Sequence, residues 1–278
     1  MSGRPESSEE PVNEVPETME GWYVLHDCYA VDWPRWRALS ADDRSAIISE
    51  FASASAHWAE AEGGSACYRL VSQKGDLMWI HYRSSPADLN AIERELRACR
   101  LYDYLVPTGG YLSVIEASMY EATAIAHGML ARKGLSPRAE GWDEAFAAEL
   151  ETQKEHLNQR VYRSIPPASH VCYYPMNKRR GEHENWYAMS MDERRKLMRG
   201  HGKIGRKYTD RVTQVISGSV GLDDWEWAVD LHADDPLVFK KLVYEMRFDP
   251  ASSRFAEFGE FYIGLKTDDD ELAAFLTL

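Results

Sequence analysis

Tyr174, Met176 and Lys178 stand at alternate positions in the stretch VCYYPMNKRR, and His201 follows in MRGHGKIGR. On an extended strand, residues i, i+2 and i+4 share a face. A phenol, a thioether and an ammonium would then look into one space, with Pro175 and Asn177 turned away. That trio makes a poor hydrophobic core and suits a pocket for an apolar, anionic ligand; ordinary strand decoration is the plainer reading. Proline cannot donate to a sheet ladder, so the strand is expected to be irregular or at an edge there. His201 shares helical spacing with Leu197, Ile204 and Tyr208, which turns it inward while Arg199, Lys203 and Arg206 lie elsewhere around the helix. Such a histidine is either a satisfied core residue or a ligand to a metal or haem iron. No second His, Cys or acid sits beside it at ligand spacing, which disfavours a protein-only metal site and leaves haem. The nearby glycines lack the order of a phosphate loop.

Charge marks the same region. The 278 residues carry a formal charge of −13, yet residues 178 to 211 hold eleven Lys/Arg against five Asp/Glu. One positive island in an acidic protein suggests a local anionic ligand, with a solvated helix face as the alternative. The overall balance argues against general nucleic-acid binding. No apolar run is long enough to span a bilayer. The four cysteines are scattered without a C-x-x-C pair, which points away from a disulfide framework or zinc site and towards a reducing cytoplasm.

An internal repeat supplies the elements that must position these side chains. At an offset of 150 residues, Trp36 meets Trp186, Ser40 meets Ser190, Asp42 meets Asp192 and Arg44 meets Arg194. The same shift pairs Pro86 with Pro236 and Arg97 with Arg247. It implies two copies of one module, each reading strand, helix, strand, strand, helix, strand. That order is ferredoxin-like, so the expected class is α+β: tandem ferredoxin-like modules with antiparallel sheets and helices packed outside. The expected divisions are a disordered acidic tail over 1–20, a first module over 21–115, a helical connector over 116–170 and a second module over 171–278. Ser40 and Ser190 read as N-caps, and only the second, with Glu193, completes a capping box. In this alignment His201 falls opposite Phe51, Tyr174 opposite Val24, Met176 opposite His26, Lys178 opposite Cys28 and Gln214 opposite Gly64. The fold alone therefore does not demand the polar set.

The segments YYPMNKRR, MRGHGKIGR, TQVISGSVGLDDWEWAVDL and YEMRFDPASSRFAEFGEFYIG together resemble the coproheme decarboxylases of the chlorite dismutase-like superfamily, over about residues 21 to 265. The resemblance implies peroxide-dependent conversion of iron-coproporphyrin III to haem b by two oxidative decarboxylations. It implies His201 as axial iron ligand and Tyr174 as the radical-forming residue. Lys178 would assist at the second reactive propionate, with Met176 beside the first and Gln214 over the iron. Arg160, Arg247 and Ser252 would hold propionates. It further implies a ring of five subunits, haem in the second module only, a cytoplasmic setting and a transient contact with ferrochelatase. Four propionates carry about four negative charges at neutral pH, which gives the positive island a purpose.

Chlorite dismutase itself is the nearest rival, but its distal arginine is matched here by Gln214. A porphyrin carrier is the rival from another class, and Tyr174 with Lys178 count against it. A distal histidine assists some relatives; His156 and His170 are near in sequence without a settled place.

Overall fold

The computed structural model describes residues 15–137 and 139–277. The chain begins with β1 (Thr18–Val31), α1 (Trp33–Ala38), α2 (Ala41–Glu60), β2 (Ser65–Val71), β3 (Leu77–Arg83), α3 (Pro86–Ala98) and β4 (Leu105–Ser118). Two helices follow, α4 (Tyr120–Arg132) and α5 (Trp142–Val161), and then β5 (His170–Lys178), α6 (Met191–Arg206), β6 (Thr213–Gly218) and β7 (Trp227–Ala233). The chain closes with α7 (Leu237–Met246), α8 (Pro250–Ser253), β8 (Ala256–Phe258), β9 (Tyr262–Thr267) and α9 (Asp269–Leu276).

All strand pairings are antiparallel, in the order β7-β6-β4-β1-β3-β2-β9-β5-β8. A further β5–β7 pairing closes eight of these strands into a ring. Closure removes the exposed edges that two separate four-stranded sheets would carry. Within the ring, β4-β1-β3-β2 and β9-β5-β7-β6 have the same ferredoxin-like order, so the α+β expectation holds, with the sheets joined as a barrel.

Alternation sorts the side chains into an interior and an outer layer. Trp22, Val24, Tyr68, Met78, Ile80 and Tyr173 fill the barrel, while Trp79 on the outer face packs with Phe51 of α2 and Leu96 of α3. Every residue of β3 is buried because both its faces are covered. Ser40 caps α2 by accepting from the Asp43 amide, and Ser190 with Glu193 makes the complete capping box at α6, as the sequence predicts.

Four expectations change. First, β1 begins at Thr18, inside the stretch expected as tail, because Thr18–Glu20 pair with Glu116–Ser118; residues 1–14 lie outside the described residues. Second, α9 does not complete the second module's core. Leu272 and Leu276 pack with Trp36 and Phe51 of the first, and the Trp36 indole donates to the Leu276 carbonyl at 2.7 Å.

Third, of the two alternatives at Pro175 the irregularity holds and the edge does not. Strand β5 pairs with β7 along one side and passes from β9 to β8 along the other, with Pro175 at the handover. The Gly259 amide donates to the Pro175 carbonyl at 2.8 Å. A Cβ at Gly259 would lie 2.7 Å from the proline ring, so the crossing needs glycine. A change of partner strand lets a residue without an N–H sit in a central position.

Fourth, the 150-residue register holds for helices and for β3 against β7 but not for β1 against β5. Val24 faces the barrel interior, whereas Tyr174 faces outward. Taking Trp79 with Val229 as equivalent, the strand partners place Tyr174 opposite Asp27 and Met176 opposite Tyr29. By the same reasoning Lys178 falls opposite Val31, and Gln214 opposite Ser65 rather than Gly64. An odd slip moves every side chain to the other face, which no ungapped alignment can detect. The inference that packing does not demand the polar set survives the change of partners.

Candidate functional site

The outer face of β5 presents Tyr174 and Met176 towards α7, while Lys178 reaches Trp186 and α8, in keeping with their alternation. Pro175 faces the opposite side, and Asn177 accepts from the Glu226 amide at 2.8 Å. Four residue steps put Tyr174 and Lys178 about 13 Å apart along the strand, near the span of a large flat ligand.

His201 lies in the middle of α6. Its Nδ1 is 2.8 Å from Asp249 Oδ2. Asp249 precedes the short helix α8 and is 3% exposed, whereas the His201 side chain is 31% exposed. With Nδ1–H donating to the carboxylate, Nε2 is the lone-pair nitrogen and is available to a metal. Burial holds the imidazole pKa below its ordinary value, against the opposing pull of Asp249, so the ring is neutral at pH 7 and ready to ligate. Leu197 and Ile204, on the same side of the helix, are also only half-buried. Helix α6 packs chiefly on α7 and α8, so this apolar, histidine-bearing face is left partly uncovered.

Lys178 Nζ stands 4.4 Å from the centre of the Trp186 ring and donates to the Ala251 carbonyl at 3.4 Å. Among the described residues no carboxylate lies within ion-pair distance of it. Burial lowers its pKa to about 8, with the charges of Asp249 and Glu226 opposing the fall. A mostly buried ammonium without a direct counter-ion is poised to receive an anion.

Tyr174 is 8% exposed and packs between Phe261, stacked at 4.4 Å, and Phe258 at 5.8 Å. Its hydroxyl makes no hydrogen bond among the described residues. Burial first, then the neighbouring Cys172, drives the phenol pKa far above its usual value, and the Arg247 charge opposes them. The group is thus a protonated phenol at neutral pH. Arg247 closes the α7 end, its guanidinium carbon over the Phe258 ring, 3.9 Å from the ring centre. Its guanidinium remains exposed for a carboxylate.

The remaining predicted residues divide. Met176 packs into the apolar cluster around Tyr174. Gln214 lies against the last turn of α6, where a Cβ at Gly205 would sit 3.3 Å from its amide nitrogen. Ser252 is buried beside the acid that holds His201, its Oγ 3.5 Å from Asp249 Oδ2, at the outer limit of a hydrogen bond. Arg160 is exposed near the end of α5, which packs chiefly on α4, β1 and β4, outside this cluster. His170 opens β5 at the end away from Lys178, its Nδ1 3.1 Å from Ser169 Oγ. The side chain of His156 lies outside the described residues.

Sequence reasoning missed two groups. Asp249 is 48 positions from His201, so no local ligand spacing could reveal it. Its only signal is the Asp-Pro step that opens a helix. Trp186 is matched in the repeat by Trp36 and reads as core; its ring face towards Lys178 is a tertiary fact.

Comparison with known proteins gives the family and the fold. The chlorite dismutase family profile matches residues 44–267. A solved structure described as a novel heme-binding protein from Thermus thermophilus is 37% identical, superposes with a TM-score of 0.81, and the match covers 96% of this chain and 99% of that one. A single-substitution variant of the chlorite dismutase from Candidatus Nitrospira defluvii is 19% identical, with a TM-score of 0.70 over 93% of this chain and 96% of that one, a likeness of fold.

Proposed function

The chain belongs to the chlorite dismutase family, and on that premise we propose that it is a coproheme decarboxylase, converting iron-coproporphyrin III to haem b with hydrogen peroxide. The observation that carries this reading is the grouping on one outer face of Tyr174, Lys178 and Arg247 beside a carboxylate-held His201. An iron porphyrin bearing carboxylates fits these residues. His201 offers a neutral nitrogen, Lys178 lacks a direct counter-ion, and the half-covered face of α6 is apolar.

Each turn removes one carboxylate. A propionate, one hydrogen peroxide and one proton become a vinyl group, carbon dioxide and two waters. The iron porphyrin, when bound, supplies the oxidising equivalents that peroxide delivers. Tyr174 loses its electron and proton and takes a hydrogen atom from the propionate side chain, which restores the phenol; the carbon radical left behind gives up a second electron as its bond to the carboxylate breaks, releasing carbon dioxide and leaving the vinyl group, so both oxidising equivalents are used. A buried tyrosine suits this step because it stays a protonated phenol until it is oxidised, so electron and proton leave together. Lys178 positions the second carboxylate and, with a pKa near neutrality, can give the proton that the balance requires. Arg247 holds a further carboxylate, and Met176 fills the apolar side. Gln214 in place of the arginine used for chlorite decomposition supports decarboxylation over dismutation. The reading carries with it a ring of five chains, a cytoplasmic setting and a ferrochelatase contact, each a property of the family it resembles. No helix among the described residues is long and apolar enough to cross a membrane.

The second reading is a haem-binding protein without turnover, favoured by the description of the relative from Thermus thermophilus. Loading with ferric coproporphyrin III, titrating with peroxide and following pigment mass separates the two. Stepwise loss of two carboxyl groups is expected, and Tyr174→Phe is expected to bind pigment yet stall before the first loss. An unchanged pigment mass favours the carrier, and full turnover by Tyr174→Phe removes the radical role.

A further inference from the structure

A cavity opens on the opposite face of β5, at a mouth of the barrel. It encloses about 570 Å³, and its lining includes His26, Tyr111, Tyr173 and Tyr262, with Asp223, Asp224 and Glu260. That volume is in the range of small-molecule sites. His26, Tyr111 and Tyr173 are at least nine-tenths buried, whereas the three acids are exposed, so aromatic groups form the floor and carboxylates the rim.

His26 is the informative residue. Its Nε2 lies 2.9 and 3.0 Å from the two oxygens of buried Asp230, which fixes the Nε2 hydrogen there. Its Nδ1 is buried and has no hydrogen-bond partner among the described residues. In the neutral ring that nitrogen is an acceptor, and a buried acceptor without a donor is costly. The ring stacks on Tyr173 at 4.1 Å, and Tyr173 in turn stacks on Tyr262 at 5.5 Å. One of these rings already faces a cation: Lys74 Nζ stands 5.4 Å from the centre of Tyr262 while donating to the Phe261 carbonyl. At the rim, Asp223 accepts from the Leu112 and Asp224 amides and Glu260 accepts from the Tyr262 hydroxyl. The Asp224 carboxylate makes no hydrogen bond or ion pair among the described residues.

We propose that this mouth is a binding site for a small organic cation with N–H donors, an alkylammonium or alkylguanidinium. One N–H meets His26 Nδ1, the aromatic floor receives the charge, and Asp224 with Glu260 hold the outer end. The polar groups of this site differ from those around Tyr174, although Phe258 borders both and Tyr173 and Pro175 flank Tyr174 on β5.

The test uses the full chain and agmatine as probe, by titration calorimetry at low and at about 150 mM salt, where surface charge is screened. One saturable site per chain is expected. The pair Asp224→Asn with Glu260→Gln, both exposed, is expected to weaken it about ten-fold without changing the unfolding midpoint. His26→Asn is expected to weaken it as well, and the rim pair decides if that buried change disturbs folding. Glutarate, an anion of similar length, is expected not to bind. Absence of saturable agmatine binding, equal affinity in the rim pair, or equal binding of glutarate would overturn the proposal.

Discussion

Replacing Asp249 by asparagine tests the central geometry of the iron-binding reading. Asparagine keeps the shape and can still accept from His201 Nδ1, now 2.8 Å from a carboxylate oxygen. What changes is the charge. A hydrogen bond to a charged group is worth about 1.5–3 kcal/mol and a neutral one about 0.5–1.5 kcal/mol. The difference of about 1–2 kcal/mol corresponds to roughly 5–30-fold in affinity, in line with the 10–100-fold typical of groups that support a metal ligand. Asp249 is 3% exposed, so water does not compensate, and Ser252 at 3.5 Å is too distant to help much. The loss of the carboxylate also lowers the His201 pKa further, because Asp249 is what opposes the burial effect. Measurement at pH 7, where the ring is neutral in both proteins, removes proton competition from the comparison. Ferric coproporphyrin III and haem b are titrated into each protein and followed by the Soret band, and the ferrous iron–histidine vibration is recorded. Weaker binding of both pigments and a lower iron–histidine frequency are expected. Affinity within about two-fold, with an unmoved vibration, would show that Asp249 does not support the ligand.

Two further outcomes follow from buried ionisable groups. Lys178 has a pKa of about 8 in the fold, against about 10.5 when unfolded, so the unfolded chain binds the extra proton between those values. Its contribution to stability therefore rises as pH increases from about 8 to 10.5, by at most about 3 kcal/mol and less where solvent reaches it. Urea midpoints of wild type and Lys178→Met are expected to converge over that window, and parallel curves would contradict the assigned burial. Asp27 is raised from 3.8 to about 6, first by burial and then by Glu93, and the folded state favours its neutral form. That preference is fully present below pH 3.8 and is lost as pH rises through 6, so Asp27→Asn is expected to stabilise at pH 7 by up to about 3 kcal/mol but not near pH 3.5. An equal effect at both pH values would place the cause in packing rather than charge.

The sequence alone determined the local parts. Alternation in VCYYPMNK placed Tyr174 and Lys178 on one face because the pleat enforces a period of two. Helical spacing put His201 on the half-buried side of α6, and Ser190 with Glu193 fixed where that helix starts. The repeat revealed two similar units, and the quoted motifs pointed to the family. These are short-range signals, carried by residues within a turn or a strand of each other. Only the tertiary structure decided that the two sheets join as one barrel, that α9 completes the other unit's core, and that Tyr174 stands opposite Asp27 rather than Val24. It alone brought Asp249 to His201 and Trp186 to Lys178, and left His26 facing a cavity at the barrel mouth. Those outcomes depend on register and closure, where a slip of one residue costs nothing in local propensity yet turns a whole face of the strand around.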